Sequence, residues 1–247
     1  SEEEKKYEYA HAWFTGDRAA WHRSNYAASF SIHSKREPAF ECINEMNMTG
    51  WHMGDGALYL YTDYDRHQFD GVNFIYKNRE IAYHYPGTTE DRRERDIRHV
   101  VMPEWFRVSK SYAGSLSFGG KYLTCAMDFE SYNFDGPDNR EDNGYGMGLA
   151  PHINDLTAKK AWFCFDKELV ALGAGINSTM NSPVDTTVEH RRLVQEEKYG
   201  QFVKSAEADG EIDRFGQAIY EKRYTNPQWV CMEGHSGYYF PDGGNVY

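Results

Sequence analysis

The side chains best equipped for chemistry are concentrated between Arg36 and Tyr61. The run reads Arg36-Glu-Pro-Ala-Phe-Glu41-Cys-Ile-Asn44-Glu-Met-Asn47-Met-Thr-Gly50-Trp51-His-Met-Gly54-Asp55-Gly56-Ala-Leu-Tyr-Leu-Tyr61. It offers a guanidinium at Arg36, a carboxylate at Glu41, carboxamides at Asn44 and Asn47, an indole at Trp51 and a Gly-Asp-Gly turn. Tyr85-Pro86-Gly87-Thr88-Thr89 follows. A sugar site needs such a mixture. Sugar hydroxyls exchange hydrogen bonds with carboxylates and amides, and flat C–H faces stack on aromatic rings. The plainer reading is a tight β turn whose Asn and Asp are buried and satisfied.

Other chemistries find less support. The ten histidines are scattered, with no pair at i, i+4 of a helix, so spacing argues for no zinc site. They read as surface or structural groups. Asp63-Tyr-Asp65 and Asp135-Gly-Pro-Asp138 lack the fixed-offset glycine and bidentate glutamate of a calcium loop and read as solvated turns. Nucleotide fingerprints, a nucleophile elbow and His-Glu-x-x-His are absent. Gly173-Ala-Gly175 is too short to cradle phosphate, and close strand packing is its expected role. Cys42, Cys125, Cys164 and Cys231 are too widely spaced for a disulfide framework and read as buried thiols. No metal and no cofactor is expected.

Strands must position these groups. Segments 26–32, 57–61, 121–127, 161–165, 169–172, 228–231 and 237–240 are short, aromatic or β-branched, and bounded by turn residues. Asp166-Lys167-Glu168 reads as a hairpin turn. Helical signals are weak: residues 88–99 are highly charged and predict an exposed loop or single turn, and 131–148 predict a long surface loop. Leu, Ile and Val are scarce, but 19 Tyr, 14 Phe and 6 Trp supply apolar area. The prediction is an all-β, antiparallel, stacked-sheet protein forming one domain over residues 1–247. A formal charge of −11 argues against a nucleic-acid partner. No apolar run approaches the roughly 18 residues of a membrane helix, so no membrane span is expected. The chain opens Ser-Glu-Glu-Glu-Lys-Lys without an initiator methionine, which predicts a removed leader or a cut.

Glu41-Cys-Ile-Asn44-Glu-Met-Asn47, with the following Gly50-Trp51 and Gly54-Asp55-Gly56, resembles the Tyr-Glu-Ser-Ile-Asn-Gly-Glu-Asn…Gly-Trp…Gly-Asp-Gly segment of polysaccharide lyase family 8. That family contains hyaluronate, chondroitin and xanthan lyases. Pro86-Gly87-Thr88-Thr89 is similar to its Pro-Gly-Thr-Thr motif. Residues 159–176, Lys-Lys-Ala-Trp-Phe-Cys-Phe-Asp-Lys-Glu-Leu-Val-Ala-Leu-Gly-Ala-Gly-Ile, resemble its Lys-Ser-Trp-Phe-Phe-Phe-Asp-Asp-Glu-Val-Val-Ala-Leu-Gly-Ala-Gly-Ile run. Thr186-Thr187-Val188-Glu189 and Gly237-Tyr-Tyr-Phe240-Pro241 complete the series in order. Glu45 and Met46 depart from the family's Gly and Glu.

The resemblance implies a large antiparallel β-supersandwich lacking the family's N-terminal α/α toroid and the C-terminal part of its β region. It implies β-elimination at a uronic acid, with the acid and base on the toroid. Glu41 and Asn44 match residues that reach from the β domain into the cleft. Arg36, Asn47 and Trp51 are the expected substrate-side neighbours, with Arg36 also the local candidate to pair with Glu41. The implied partners are an acidic polysaccharide and the toroid, the implied location is secreted or periplasmic, and the chain alone is expected to be inactive. Two alternatives are a stand-alone carbohydrate-binding module and a mutarotase-like sandwich from another carbohydrate enzyme.

Overall fold

The computed structural model describes residues 7–41, 46–47, 49–62, 67–70, 83–93, 108–131, 154–191, 202–205, 209–211, 223–232 and 236–246. The named elements among them are sixteen β-strands and no complete helix. The chain divides into two compact units, residues 1–60 with 69–190, and residues 61–68 with 191–247.

In the first unit, β1 (Tyr9–Trp13), β2 (Arg18–His22), β3 (Tyr26–Ser31) and β4 (Ala57–Thr62) form one sheet in that order. After the short β5 (Thr89–Asp91), a second sheet runs through β6 (Ala113–Phe118), β7 (Tyr122–Glu130), β8 (Thr157–Cys164) and β9 (Leu169–Asn177). Strict alternation explains why these segments are strands. The inward residues are Ala10 and Ala12 on β1, Ala19 and Trp21 on β2, and Ala28 and Phe30 on β3. Leu123, Cys125, Met127 and Phe129 face inward from β7. All of them share one core with Trp162, so the two sheets pack face to face. The alanines of the first sheet leave room for rings: Phe30 and Trp162 meet with centroids 6.1 Å apart. Each buried ring contributes roughly 1.5–3 kcal/mol, which is how a chain poor in aliphatics builds a core.

The hairpin at Asp166-Lys167-Glu168 joins β8 to β9, closed by Phe165 N–H donating to Glu168 O at 2.9 Å. The structure corrects the expectation for Gly173-Ala-Gly175. A Cβ on Gly175 would meet nothing within 4 Å. What requires glycine there is φ of +60°, beside a register shift between β8 and β9. A second correction concerns residues 88–99. Thr89–Asp91 form β5, which pairs antiparallel with β10 (Val184–Thr186), and Thr88 through Asp91 are fully buried. The described charges are all paired: Asp91 with Arg93, Glu90 with His84, and Arg92 with the distant Asp185. Residues 94–99 and the 132–148 part of the second expected loop lie outside the described residues.

In the second unit, β11 (Phe202–Ser205), β12 (Asp209–Glu211), β14 (Trp229–Met232) and β15 (Ser236–Tyr239) form an antiparallel sheet ordered β12-β11-β14-β15. β13 (Tyr224–Thr225) pairs with β16 (Asn245–Val246).

Candidate functional site

The segment from Ser34 to Gly56 leaves β3 and returns as β4, so both of its ends are fixed in one sheet. Arg36 marks its start. Its guanidinium pairs with the buried carboxylate of Asp17 and donates to Ala113 O at 2.8 Å. Ser34 Oγ donates to the other Asp17 oxygen at 2.7 Å. Arg36 is therefore bound to Asp17 and does not pair with Glu41. Ala39 and Phe40 are buried, and the chain then turns Glu41 out to solvent.

Asn47 closes the loop. Its Nδ2 donates to Glu41 O at 2.8 Å, and its backbone adopts a left-handed φ of 62°, which Asn tolerates better than most residues. A Cβ at Gly50 would come within 2.4 Å of Asn47 Nδ2, so the clasp requires glycine there. Trp51 is 1% exposed, with its ring edge-on to Tyr83 at 5.2 Å. Tyr85 Oη donates to Thr49 O at 2.7 Å. The structure thus joins Glu41 to Asn47, encloses Trp51 against Tyr83 and holds Arg36 on Asp17. Asn44 lies outside the described residues.

The same segment ends in a buried charged cluster. Asp55 is wholly buried; its Oδ2 accepts from His52 Nδ1 at 2.7 Å, and its Oδ1 lies 3.1 Å from His33 Nδ1. His33 Nδ1 also faces Gly54 O at 3.0 Å, and His33 Nε2 faces Glu130 O at 3.1 Å. Carbonyl oxygens only accept, so both ring nitrogens must carry hydrogen, and His33 is an imidazolium. Burial alone would lower its pKa, but the Asp55 carboxylate and the two carbonyls raise it overall. Burial alone would likewise raise the Asp55 pKa; His33 and His52 outweigh it and hold it far below the usual carboxylate range.

Lys160 connects this cluster to the next motif. It occupies an inward position of β8 between Ala158 and Trp162. Its Nζ donates to Gly87 O and, at 3.4 Å, to Asp55 O, with the Trp162 and Phe129 rings 5.5 and 5.9 Å away. Burial pushes its pKa down to about 8, against the pull of Glu90 and Asp55. Gly87 has φ of +86°, and a Cβ there would come within 2.6 Å of Gly56 O.

Residues 86–89 are zipped in turn to 186–187. Gly87 N–H donates to Thr187 O at 2.7 Å, and Thr187 N–H donates to Thr88 O at 2.9 Å. Between them the buried Glu90 accepts from His84 Nδ1 at 2.6 Å, Thr88 Oγ1 at 2.7 Å and Thr187 Oγ1 at 2.8 Å. Four separate sequence motifs therefore converge on one polar framework: the 54–56 turn, residues 86–89, Lys160 and residues 186–187. Sequence reasoning missed His33, Lys160 and Glu90. A lysine at an inward strand position, in line with Ala158 and Trp162, was the one local signal available.

Around Glu41 the described residues supply a hydrogen-bond acceptor on a braced loop, not a proton-transfer pair. Among the described residues no group of three or more His, Cys, Asp or Glu could hold a metal ion.

Comparison with known proteins adds to this geometry. Residues 8–247 match the family described as "Polysaccharide lyase family 8, super-sandwich domain". A xanthan lyase of Bacillus sp. (strain GL1) is 30% identical over 236 residues, which is 93% of this chain and 21% of that protein. A hyaluronate lyase of Thermasporomyces composti is 29% identical over 234 residues, covering 93% of this chain and 25% of that protein. The solved Paenibacillus xanthan lyase superposes with a TM-score of 0.70 at 29% identity, over 96% of this chain and 20% of that one. The chain thus spans a fifth to a quarter of the length of these relatives.

Proposed function

Because the chain belongs to polysaccharide lyase family 8, we propose that it is the single super-sandwich domain, over residues 1–247, of an enzyme that cleaves uronic-acid-containing polysaccharides by β-elimination. The observation that carries this reading is the placement of Glu41, exposed while its backbone is held by Asn47, on the segment that runs on to the buried Asp55 cluster. An exposed carboxylate on so braced a loop suits a group that must reach another surface in a fixed position.

The reaction breaks the C5–H bond of the uronate, forms a C4–C5 double bond and expels the O4 substituent. The C5 proton is weakly acidic, so the carboxylate beside it must be neutralised or hydrogen-bonded to stabilise the enolate-like intermediate. A base then takes the proton and an acid protonates O4. In this reading the acid and base belong to an α/α toroid outside this chain. Glu41 and Asn44 orient groups at the cleft, and Asn47 holds the Glu41 backbone. Arg36 and Trp51 position the loop from behind. The substrate is an acidic polymer of the hyaluronan or chondroitin type, and a polymer too large to enter a cell suits an enzyme in a secreted or periplasmic setting.

The deciding experiment follows unsaturated-uronate absorbance on a panel of polyuronides. The longer protein containing this chain should generate the signal, and the 247-residue chain alone should not. Absence of product from every uronide with the longer protein rejects the assignment. Product from the chain alone rejects the placement of the acid and base.

A further inference from the structure

The outward face of β1–β3 is unlike the rest of this acidic chain. Register places Tyr9 opposite His22 and Trp13 opposite Arg18, and none of the outward positions on the three strands holds a carboxylate. Tyr9 and Trp13 are 46% and 47% exposed. Tyr9 lies parallel to His22 at 5.4 Å, and His11 meets Trp13 edge-on at 4.4 Å. The rings are thus steadied by neighbours without being covered. At about 3.4 Å per residue, Tyr9 and Trp13 stand roughly 14 Å apart along the strand, the reach of a short oligosaccharide.

Arg18 adds the charge. Its Nη1 donates to the carbonyl oxygens of Gly16, Asp17 and Ile32 at 3.1, 3.1 and 2.9 Å. Those bonds hold the guanidinium on the β3 side of the strand position opposite Trp13, within the field of Glu37 and Asp17, and Nε and Nη2 make no described hydrogen bond. A fixed guanidinium edge loses little freedom when it takes an anion. An exposed indole with such a donor at the opposite strand position suits a sugar ring bearing a carboxylate or sulfate, with its C–H face on the ring and its anion toward the arginine.

We propose that Tyr9, His11, Trp13 and Arg18 form a second polysaccharide-binding strip, separate from the Glu41 loop, that holds a stretch of acidic polymer. The choice of ligand rests on the lyase reading above; the strip itself rests on the geometry of β1 and β2.

Affinity electrophoresis of the 247-residue chain tests it, in native gels cast with hyaluronan, chondroitin sulfate or xanthan, and with dextran as the neutral control. At least one acidic polymer should retard the chain, added salt should weaken the effect, and dextran should not retard it. Trp13→Ala should weaken binding about tenfold, the order expected for losing an aromatic contact with its buried area. Trp13→Phe should keep most of the binding, and the exposed Trp229, changed to Ala, should be silent. A thermal melt of Trp13→Ala checks that the fold is intact. Equal retardation of the wild type and Trp13→Ala, retardation by dextran alone, or none by any acidic polymer overturns the strip. Unsaturated-product release by the longer protein reads the lyase assignment independently. Retardation without product keeps the strip and rejects the lyase; product without retardation does the reverse.

Discussion

Asp55 holds its surroundings together through charge that burial makes costly to disturb. It faces the His33 imidazolium, so replacing the carboxylate by an amide of the same shape strands a buried cation. Asp55→Asn should destabilise the chain by about 3–5 kcal/mol in urea unfolding near pH 6; a loss under about 1 kcal/mol would show that the pair is not charged. The pH window has two edges. The Asp55 pKa is depressed, so its contribution is present above the ordinary value of 3.8 and fades as pH falls through the folded one. The His33 pKa is raised, so its contribution is full below 6.5 and is lost as pH climbs through the folded value. Lys160 acts in the opposite direction. Between about 8 and its ordinary 10.5 the unfolded chain holds a proton that the folded chain does not, so rising pH favours folding. Over that interval wild type should gain on Lys160→Met by on the order of 1–3 kcal/mol. Urea midpoints of the two proteins moving in parallel would rule this out.

At the scale of elements, the loops are joined by backbone as much as by side chains. Gly56 and Gly87 both have positive φ, and each admits a neighbour where a Cβ would stand. Gly87→Ala should therefore cost about 1–3 kcal/mol or more. Gly114 lies in β6, and a methyl group added there would meet nothing within 4 Å, so Gly114→Ala should be close to neutral. Thermal melts of the two variants side by side decide it, and equal losses would mean that the contact between the 54–56 and 86–89 turns is not tight. The β5–β10 ribbon has the same logic. It is only three residues long on each side, and the threonines and histidine around Glu90 hold together what so short a ladder would not.

For the molecule as a whole, the division of labour is electrostatic. A chain of −11 does not by itself attract a polyanion over most of its surface, so in the proposed enzyme the basic cleft belongs elsewhere and this chain contributes position. Glu41→Ala is the direct test. Glu41 is exposed, so the stability of the 247-residue chain should change by less than about 0.5 kcal/mol. In the longer protein the same change should lower kcat by roughly 10–1,000-fold with little change in KM, as expected when a positioning group is lost. A wild-type kcat would remove Glu41 from the reaction.

The sequence alone determined the strand pattern, the β8–β9 hairpin and the family, because alternation, turn residues and motif order are local properties that survive without coordinates. It also marked the 36–56 segment as the place to look. Only the tertiary structure decided what those residues touch. Arg36 went to Asp17, Trp51 was enclosed against Tyr83, and residues 89–91 became a buried strand instead of an exposed loop. Lys160, unremarked in the sequence, joined turns 105 and 73 residues away. The reason is physical. A buried charge is tolerated only with its partner present, and several partners here are far away in sequence, as with Arg36 and Asp17, His33 and Asp55, and Lys160 and the Gly87 and Asp55 carbonyls, so neither that burial nor that pairing is written within reach of a local window.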